Sequence, residues 1–160
     1  MSIEDVSIRC ATAADAEVLC EIQVSAIRKL GPTHYSPCDV DAWAAGLKPG
    51  RHAELISTTL VLVAERAGLP IGFGSLNLRT GEFVSLYVRP AEAARGVGHR
   101  LLAELMERGR AAALTHIFCE SSLGAVGLYQ GAGFVAGEPR AHQLPDRARI
   151  QCVPMEWRAK

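Results

Sequence analysis

Val88-Arg89-Pro90-Ala91-Glu92-Ala93-Ala94-Arg95-Gly96-Val97-Gly98-His99-Arg100-Leu101-Leu102 joins a strand-forming run to a run with helical spacing. Before it, Glu82–Val88 is rich in β-formers, and Pro90 stops the strand. After it, Leu101, Leu102, Leu105, Met106, Ala112 and Ala113 fall on one helical stripe, with Gly109 on the same face. His116–Glu120 follows as another strand across a short loop. Strand, helix and strand in this order form a β-α-β crossover, which demands parallel pairing of the two strands.

Gly96 and Gly98 let the backbone of this junction turn tightly and come close to a ligand. Amides at a helix start are unpaired and sit at the positive end of the dipole, so an anion such as a pyrophosphate is expected there. Arg95, His99 and Arg100 add side-chain donors. Two glycines alone leave open a purely structural turn with solvated arginines. A dinucleotide fingerprint needs a third glycine three residues after the second, and that position is Leu101. A P-loop needs Gly-Lys-Ser/Thr, which is absent.

Outward from the junction the pattern stays regular. Val6–Cys10 alternates as a first strand, and Thr12 with Asp15 forms a capping box for an amphipathic helix over Ala13–Leu30. Ser36-Pro37-Cys38-Asp39 starts a short helix Pro37–Gly46 that carries Trp43. Lys48-Pro49-Gly50 reads as a turn, and Arg51–Ser57 is ambiguous between helix and loop. Thr59–Glu65, Ile71–Asn77 and Glu82–Val88 are strands joined by short turns, hence an antiparallel meander. Leu123–Gly131 reads as a last helix; Gly133-Phe134-Val135 and Ile150–Trp157 close the chain as strands, with a turn at Pro145-Asp146. The order β-α-α-β-β-β-α-β-α-β-β, without linker or repeat, predicts one α/β domain over residues 1–160 with a mixed sheet.

Bulk properties set the function classes aside. The 160 residues are 49% hydrophobic and 21% charged, which is globular composition, and 17 basic side chains balance 17 acidic ones. No general attraction to nucleic acid or an anionic membrane is expected, and near-neutral charge is compatible with a homodimer. Five scattered cysteines make neither a disulfide framework nor a zinc set, and His34 with Cys38 is the nearest approach to a metal pattern. No signal peptide or membrane-length apolar run is read, so the expected location is the cytoplasm.

Leu86-Tyr87-Val88-Arg89-Pro90, then Arg95-Gly96-Val97-Gly98 and Leu101-Leu102, resembles the central motif of the GNAT acyltransferases. Ser122, Ala125, Leu128-Tyr129 and Gly133-Phe134 resemble the second half of that family's signature. The opening Ile8-Arg9 through Ala14-Asp15, the segment Tyr35-Ser36-Pro37 with Trp43, and the tail Ile150…Cys152-Val153-Pro154-Met155 extend the resemblance over essentially the whole chain. It implies a mixed, mostly antiparallel central sheet flanked by helices. It also implies a bulge near Leu86 and a splay from strand His116–Glu120 into which acetyl-CoA inserts. Leu86, Tyr87 and Val88 would contact the pantetheine, with the Leu86 amide also facing the thioester carbonyl. Arg95, Gly96, Val97, Gly98, His99 and Arg100 would face the pyrophosphate, and Ser122, Ala125 and Tyr129 the cofactor's reactive end. Two departures are Ala93, where the family usually has Gln or Arg, and Ser122, where Asn is common.

The activity implied is direct attack of a primary amine on the thioester, which needs a base for the amine and an acid for the thiolate. Tyr129 resembles the family's acid. Glu82, four residues before Leu86, is the candidate base, since a partly desolvated carboxylate at a strand start titrates closer to neutrality. A solvated carboxylate acting through water fits the same position. His34, Tyr35 and Trp43 are expected to border the acceptor cleft, together with His142 from the loop before the last strand. Three acceptors stay open: a small metabolite, a xenobiotic amine, or a protein lysine or N-terminus, the small molecule being preferred. A non-catalytic acyl-CoA-binding module is the alternative from another class.

Overall fold

The computed structural model describes residues 2–144 and 149–160. A first sheet is the antiparallel meander β1 (Val6–Cys10), β2 (Leu60–Arg66), β3 (Leu69–Leu76) and β4 (Phe83–Val88), in that spatial order. Between β1 and β2 the chain forms α1 (Ala16–Leu30), α2 (Pro37–Ala45) and α3 (Pro49–Thr58). After β4 come α4 (Val97–Ala111), β5 (His116–Ser122), α5 (Val126–Gly131), β6 (Val135–Ala136), β7 (Arg140–Gln143) and β8 (Arg149–Arg158). β8 pairs antiparallel with β5, and also with β6 and β7, giving a second sheet. The architecture is the expected mixed, mostly antiparallel α/β fold, with one more helix and one more strand than the sequence pattern showed.

The layers follow from strand alternation. On β2, Val61 and Val63 join Leu19, Ile22 and Phe73 beneath α1 and α3, while Leu62 and Ala64 join Leu101, Leu105 and Met106 beneath α4. β2 is therefore buried on both faces, which explains its unbroken apolar run. The helix expected from Ala13 opens with a tight 3-10 turn over Ala13–Asp15 before α1 proper. Asp15 accepts from the Thr12 amide at 2.7 Å and takes a bidentate pair of bonds from Arg9, so β1 and α1 are locked together.

Three local expectations are corrected. Pro49 does not sit in a turn but at the first position of α3, where its missing N–H costs nothing. β7 was invisible because Arg-Ala-His-Gln is exposed throughout and has no apolar alternation to read. The parallel pairing of the crossover shrinks to one bridge, Glu82 with Phe118, where the Phe118 amide donates to the Gly81 carbonyl at 3.0 Å. The expected turn at Pro145-Asp146 lies outside the described residues.

That single bridge is the hinge of a V. Gly81 has φ +84°, and a Cβ there would run into the His116 carbonyl, so only glycine lets the two strands touch. One residue further on, Ser75 pairs with Ser85 and Leu76 with Phe83, leaving Val84 as an extra residue on β4. This is the expected bulge, two positions before Leu86, and a bulge bends its strand away from regular pairing.

The segment between β4 and α4 is held by a buried ion pair. Arg66, at the end of β2, donates to both Glu92 carboxylate oxygens at 3.2 and 3.1 Å and to the Ser2 carbonyl at 2.7 Å. Both partners are under one-tenth exposed. The guanidinium holds the Glu92 carboxyl below its ordinary range. Its contribution is therefore complete above about pH 4.5 and fades as pH falls through the depressed folded-state value. Glu92→Ala leaves a buried guanidinium without its partner and is expected to cost about 3–5 kcal/mol in urea unfolding. The wild-type advantage over the variant should shrink progressively below pH 4.5.

Candidate active site

The V exposes backbone donors that the sheet does not use. Arg89 donates its amide to the Ile71 carbonyl across β3 at 2.7 Å. Amides alternate in direction along a strand, so those of Leu86 and Val88 point away from β3 and into the gap toward β5. Beyond the bridge at Phe118 no ladder joins β4 to β5 among the described residues. The gap opens into a groove of about 330 Å³ whose walls include Leu86, Val88, Tyr35, Ser122, Gly124 and Ala125. An extended chain with amide groups, such as pantetheine, fits these donors as an added strand would.

Val88, on the groove wall, lies next to the first turn of α4. Gly96 is the N-cap with φ +87°, in the left-handed region, and no side chain caps the helix. The first bond back to it comes from the Arg100 amide at 3.0 Å, so the amides of Val97, Gly98 and His99 lack partners in the helix. Gly98 is helical, and a Cβ on it would lie 3.6 Å from Leu128 and 3.8 Å from Val88, the latter a residue of the groove wall. Its lack of a side chain thus leaves room rather than backbone freedom. Arg95 and His99 are exposed beside this turn. Arg100 is not available in the same way: its guanidinium bonds the Ile3 and Val6 carbonyls and ties down the N-terminal segment. The placement expected of Arg100 is corrected accordingly.

A second cavity, of about 230 Å³, adjoins the groove. Trp43, Leu86, Tyr87, Ser122 and Ala125 line both, so the two spaces meet at the Leu86 backbone. Tyr129 opens onto this second cavity while being 5% exposed, packed edge-on against Phe83 and Phe134. Burial pushes its hydroxyl well above the ordinary phenol value, and the neighbouring Cys119 thiol adds to the rise. Tyr129 therefore stays protonated at every physiological pH, as a proton donor must. Burial also pushes Cys119 up to about 12, which keeps it a thiol and unsuited to nucleophilic attack.

Sequence expectation and structure part company over the acceptor residues. Trp43, His142 and Glu82 do line the cavity. His34 and Tyr35 instead line the groove; a Cβ on Gly124 would meet the His34 ring at 3.2 Å. Tyr35 is a strut: its hydroxyl donates to the Gln151 carbonyl at 2.7 Å and accepts from the Leu123 amide at 3.0 Å. Glu82 is exposed at the closed end of the V, so the partial burial expected of it is absent.

Several cavity residues were missed by reading the sequence. His52 is 2% exposed, and its ring lies 2.8 Å from the Gln23 side chain and 3.2 Å from the Lys48 carbonyl. Tyr87 lines the same cavity as Gln23, and burial raises its hydroxyl to about 12. Glu120 accepts from the Cys152 thiol at 2.9 Å and pairs with Arg140. These groups come from α1, α3, β4, β5, β7 and β8, and no local motif joins them. Of these residues, His52 falls in Arg51–Ser57, a stretch whose sequence admits a helix and is equally readable as a loop.

Residues 33–159 match the family described as Acetyltransferase (GNAT) domain. The chain is similar to the uncharacterized N-acetyltransferase YafP of Escherichia coli (strain K12), 26% identical over 94% of this chain and 89% of the relative. Its fold superposes on the "GCN5-Related N-acetyltransferase: Aminotransferase, Class-II" of Rhodopseudomonas palustris with a TM-score of 0.90, 26% identity and 99% of each chain covered. The PaiA N-acetyltransferase of Thermoplasma acidophilum, solved in complex with coenzyme A, shares the fold at a TM-score of 0.73 and 18% identity, over 96% of this chain and 99% of that one.

Gly98→Glu places a carboxylate in the first turn of α4, beside Val88 of the groove wall, without backbone strain. Binding of CoA, measured by calorimetry, should be lost while circular dichroism and thermal unfolding of the free protein stay near wild type. Undiminished affinity would remove the start of α4 from the site.

Proposed function

The chain belongs to the GNAT acetyltransferase family, and from that premise we propose that it transfers an acetyl group from acetyl-CoA to the primary amine of a small molecule by direct attack. The observation that carries this reading is the meeting of two spaces at Leu86. A donor groove lies on one side, and on the other an acceptor cavity with room for about eight waters at ~30 Å³ each. A volume of that order suits a small metabolite better than a protein segment.

Each step has a group in place. In the groove, the Leu86 and Val88 amides hold the pantetheine, and the amides of Val97, Gly98 and His99 with Arg95 hold the pyrophosphate. The thioester carbonyl then faces the Leu86 N–H, which stabilises the charge that develops on oxygen during attack. The amine arrives from the cavity side. Its proton leaves toward Glu82, but that residue stands four positions from Leu86, ~13 Å along a strand at ~3.3 Å per residue. A water relay therefore separates base and amine. Tyr129 supplies a proton to the departing CoA thiolate, and its raised pKa keeps that proton in place until the thiolate forms.

Two measurements test this reading. Acetyl-CoA at 100 times its Kd should add about 2.7 kcal/mol of apparent stability in a thermal-shift titration, with NAD giving no shift. Tyr129→Phe should lower turnover at least ~10-fold, the usual scale for a positioned acid, while acetyl-CoA affinity stays within about twofold. Undiminished turnover would take Tyr129 out of the mechanism.

A further inference from the structure

The acceptor cavity has walls of opposite charge. Its helical wall, from α1, α2 and α3, presents Arg51 beside Trp43 and the buried His52. Its strand wall presents Glu82 from the start of β4 and Glu120 from β5, with His142 from β7. Arg51 is solvent-accessible and contributes to the cavity lining.

Arg9, Arg28, Arg66, Arg89, Arg108, Arg110, Arg140 and Arg158 each have an acid beside them, and Arg100 is bonded to two carbonyls. Of the described arginines that lack an acid or a carbonyl partner, Arg51, Arg79, Arg95 and Arg149, only Arg51 lines the cavity. On the strand wall, Arg140 already balances Glu120, whereas Glu82 has no cation beside it among the described residues. Among the described residues the cavity thus offers one unbalanced cation on one wall and one unbalanced carboxylate on the other, with Leu86 shared between the donor groove and this space. A diamine would set its second cation against Arg51. A molecule with an anionic group at one end and an amine at the other satisfies both walls.

Building on the small-amine reading above, we propose that the acceptor is an amino acid or close analogue, its carboxylate bound by Arg51 and its amine presented to Leu86 from the side of Glu82 and Glu120. A guanidinium takes a carboxylate through two parallel bonds, which fixes direction as well as affinity. The neighbouring His52 and Gln23 side chains are buried and hydrogen-bonded at 2.8 Å, and His52 also meets the Lys48 carbonyl, so the wall that carries Arg51 is rigid.

The test compares matched pairs, phenylalanine with phenethylamine and lysine with cadaverine, by CoA-thiol release and by thermal shift of the CoA-saturated protein. The carboxylate-bearing member of at least one pair should have the higher kcat/KM. Arg51→Gln should lower the ratio of kcat/KM values within that pair at least ~10-fold, the scale of one lost charge-assisted bond. Arg51→Lys should recover part of the ratio. Preference for the decarboxylated members, or a ratio that Arg51→Gln leaves unmoved, overturns the proposal. So does a CoA-saturated protein that neither turns over nor is stabilised by any of the four amines, and in that case the donor reading still stands. If CoA itself produces no shift, it is the acetyl-CoA reading that has failed.

Discussion

The failure of β4 and β5 to pair is the constraint on which everything else rests. A parallel ladder between them would consume the Leu86 and Val88 amides and close the sheet. The chain prevents this at both ends of the gap. At the closed end, Gly81 allows one bridge and the bulge at Val84 turns β4 away from regular pairing. At the open end, the Tyr35 hydroxyl holds the Leu123 amide and the Gln151 carbonyl, and fixes the second sheet at a distance from the first. Unpaired backbone amides in a protein interior are costly, which is why such a gap is kept only where a ligand completes the bonding.

Burial then sorts the titratable groups into roles. Tyr129 and Cys119 stand side by side under the same low-dielectric cover, and both are pushed toward their protonated forms. For the phenol this is useful, since a proton donor must hold its proton until the thiolate appears. For the thiol it removes nucleophilicity, so a covalent route through Cys119 is disfavoured by the same burial that keeps Tyr129 protonated. Glu82 lies at the other extreme, exposed at the closed end of the V and four positions from Leu86.

Much of this was legible in residue order because the donor half of the site is local. The crossover around Gly96, the strand bearing Leu86 and the helix bearing Tyr129 all announce themselves by periodicity and by glycine or proline punctuation. The resemblance to GNAT motifs rests on the same contiguous residues. The acceptor half is assembled from distant elements and has no such signature. Gln23 and His52 belong to separate helices and meet only because α1 packs on α3; Glu120 and Arg140 meet only because β5 and β7 flank β8. Arg100 shows the opposite error. A basic residue in the right motif position was expected to face phosphate, but the carbonyls of Ile3 and Val6, which need a donor, capture it first.

The neutral net charge acquires a specific meaning in this arrangement. A protein with 17 charges of each sign exerts no large field on a charged substrate at a distance, so discrimination must come from the few charges that line the cavity. Those charges are divided by wall, with the cation on the helices and the carboxylates on the strands. The helical wall contains α3, which the sequence pattern left undecided between helix and loop. Pro49 at its first turn and the buried His52 dock that helix against α1, and this docking determines where Arg51 can point. Selectivity for the acceptor thus depends on the packing of a short helix with little sequence signal, whereas donor chemistry depends on a strongly patterned junction. Variation at α3 changes the cavity wall that carries Arg51 and leaves the Leu86 strand and the Gly96 turn untouched.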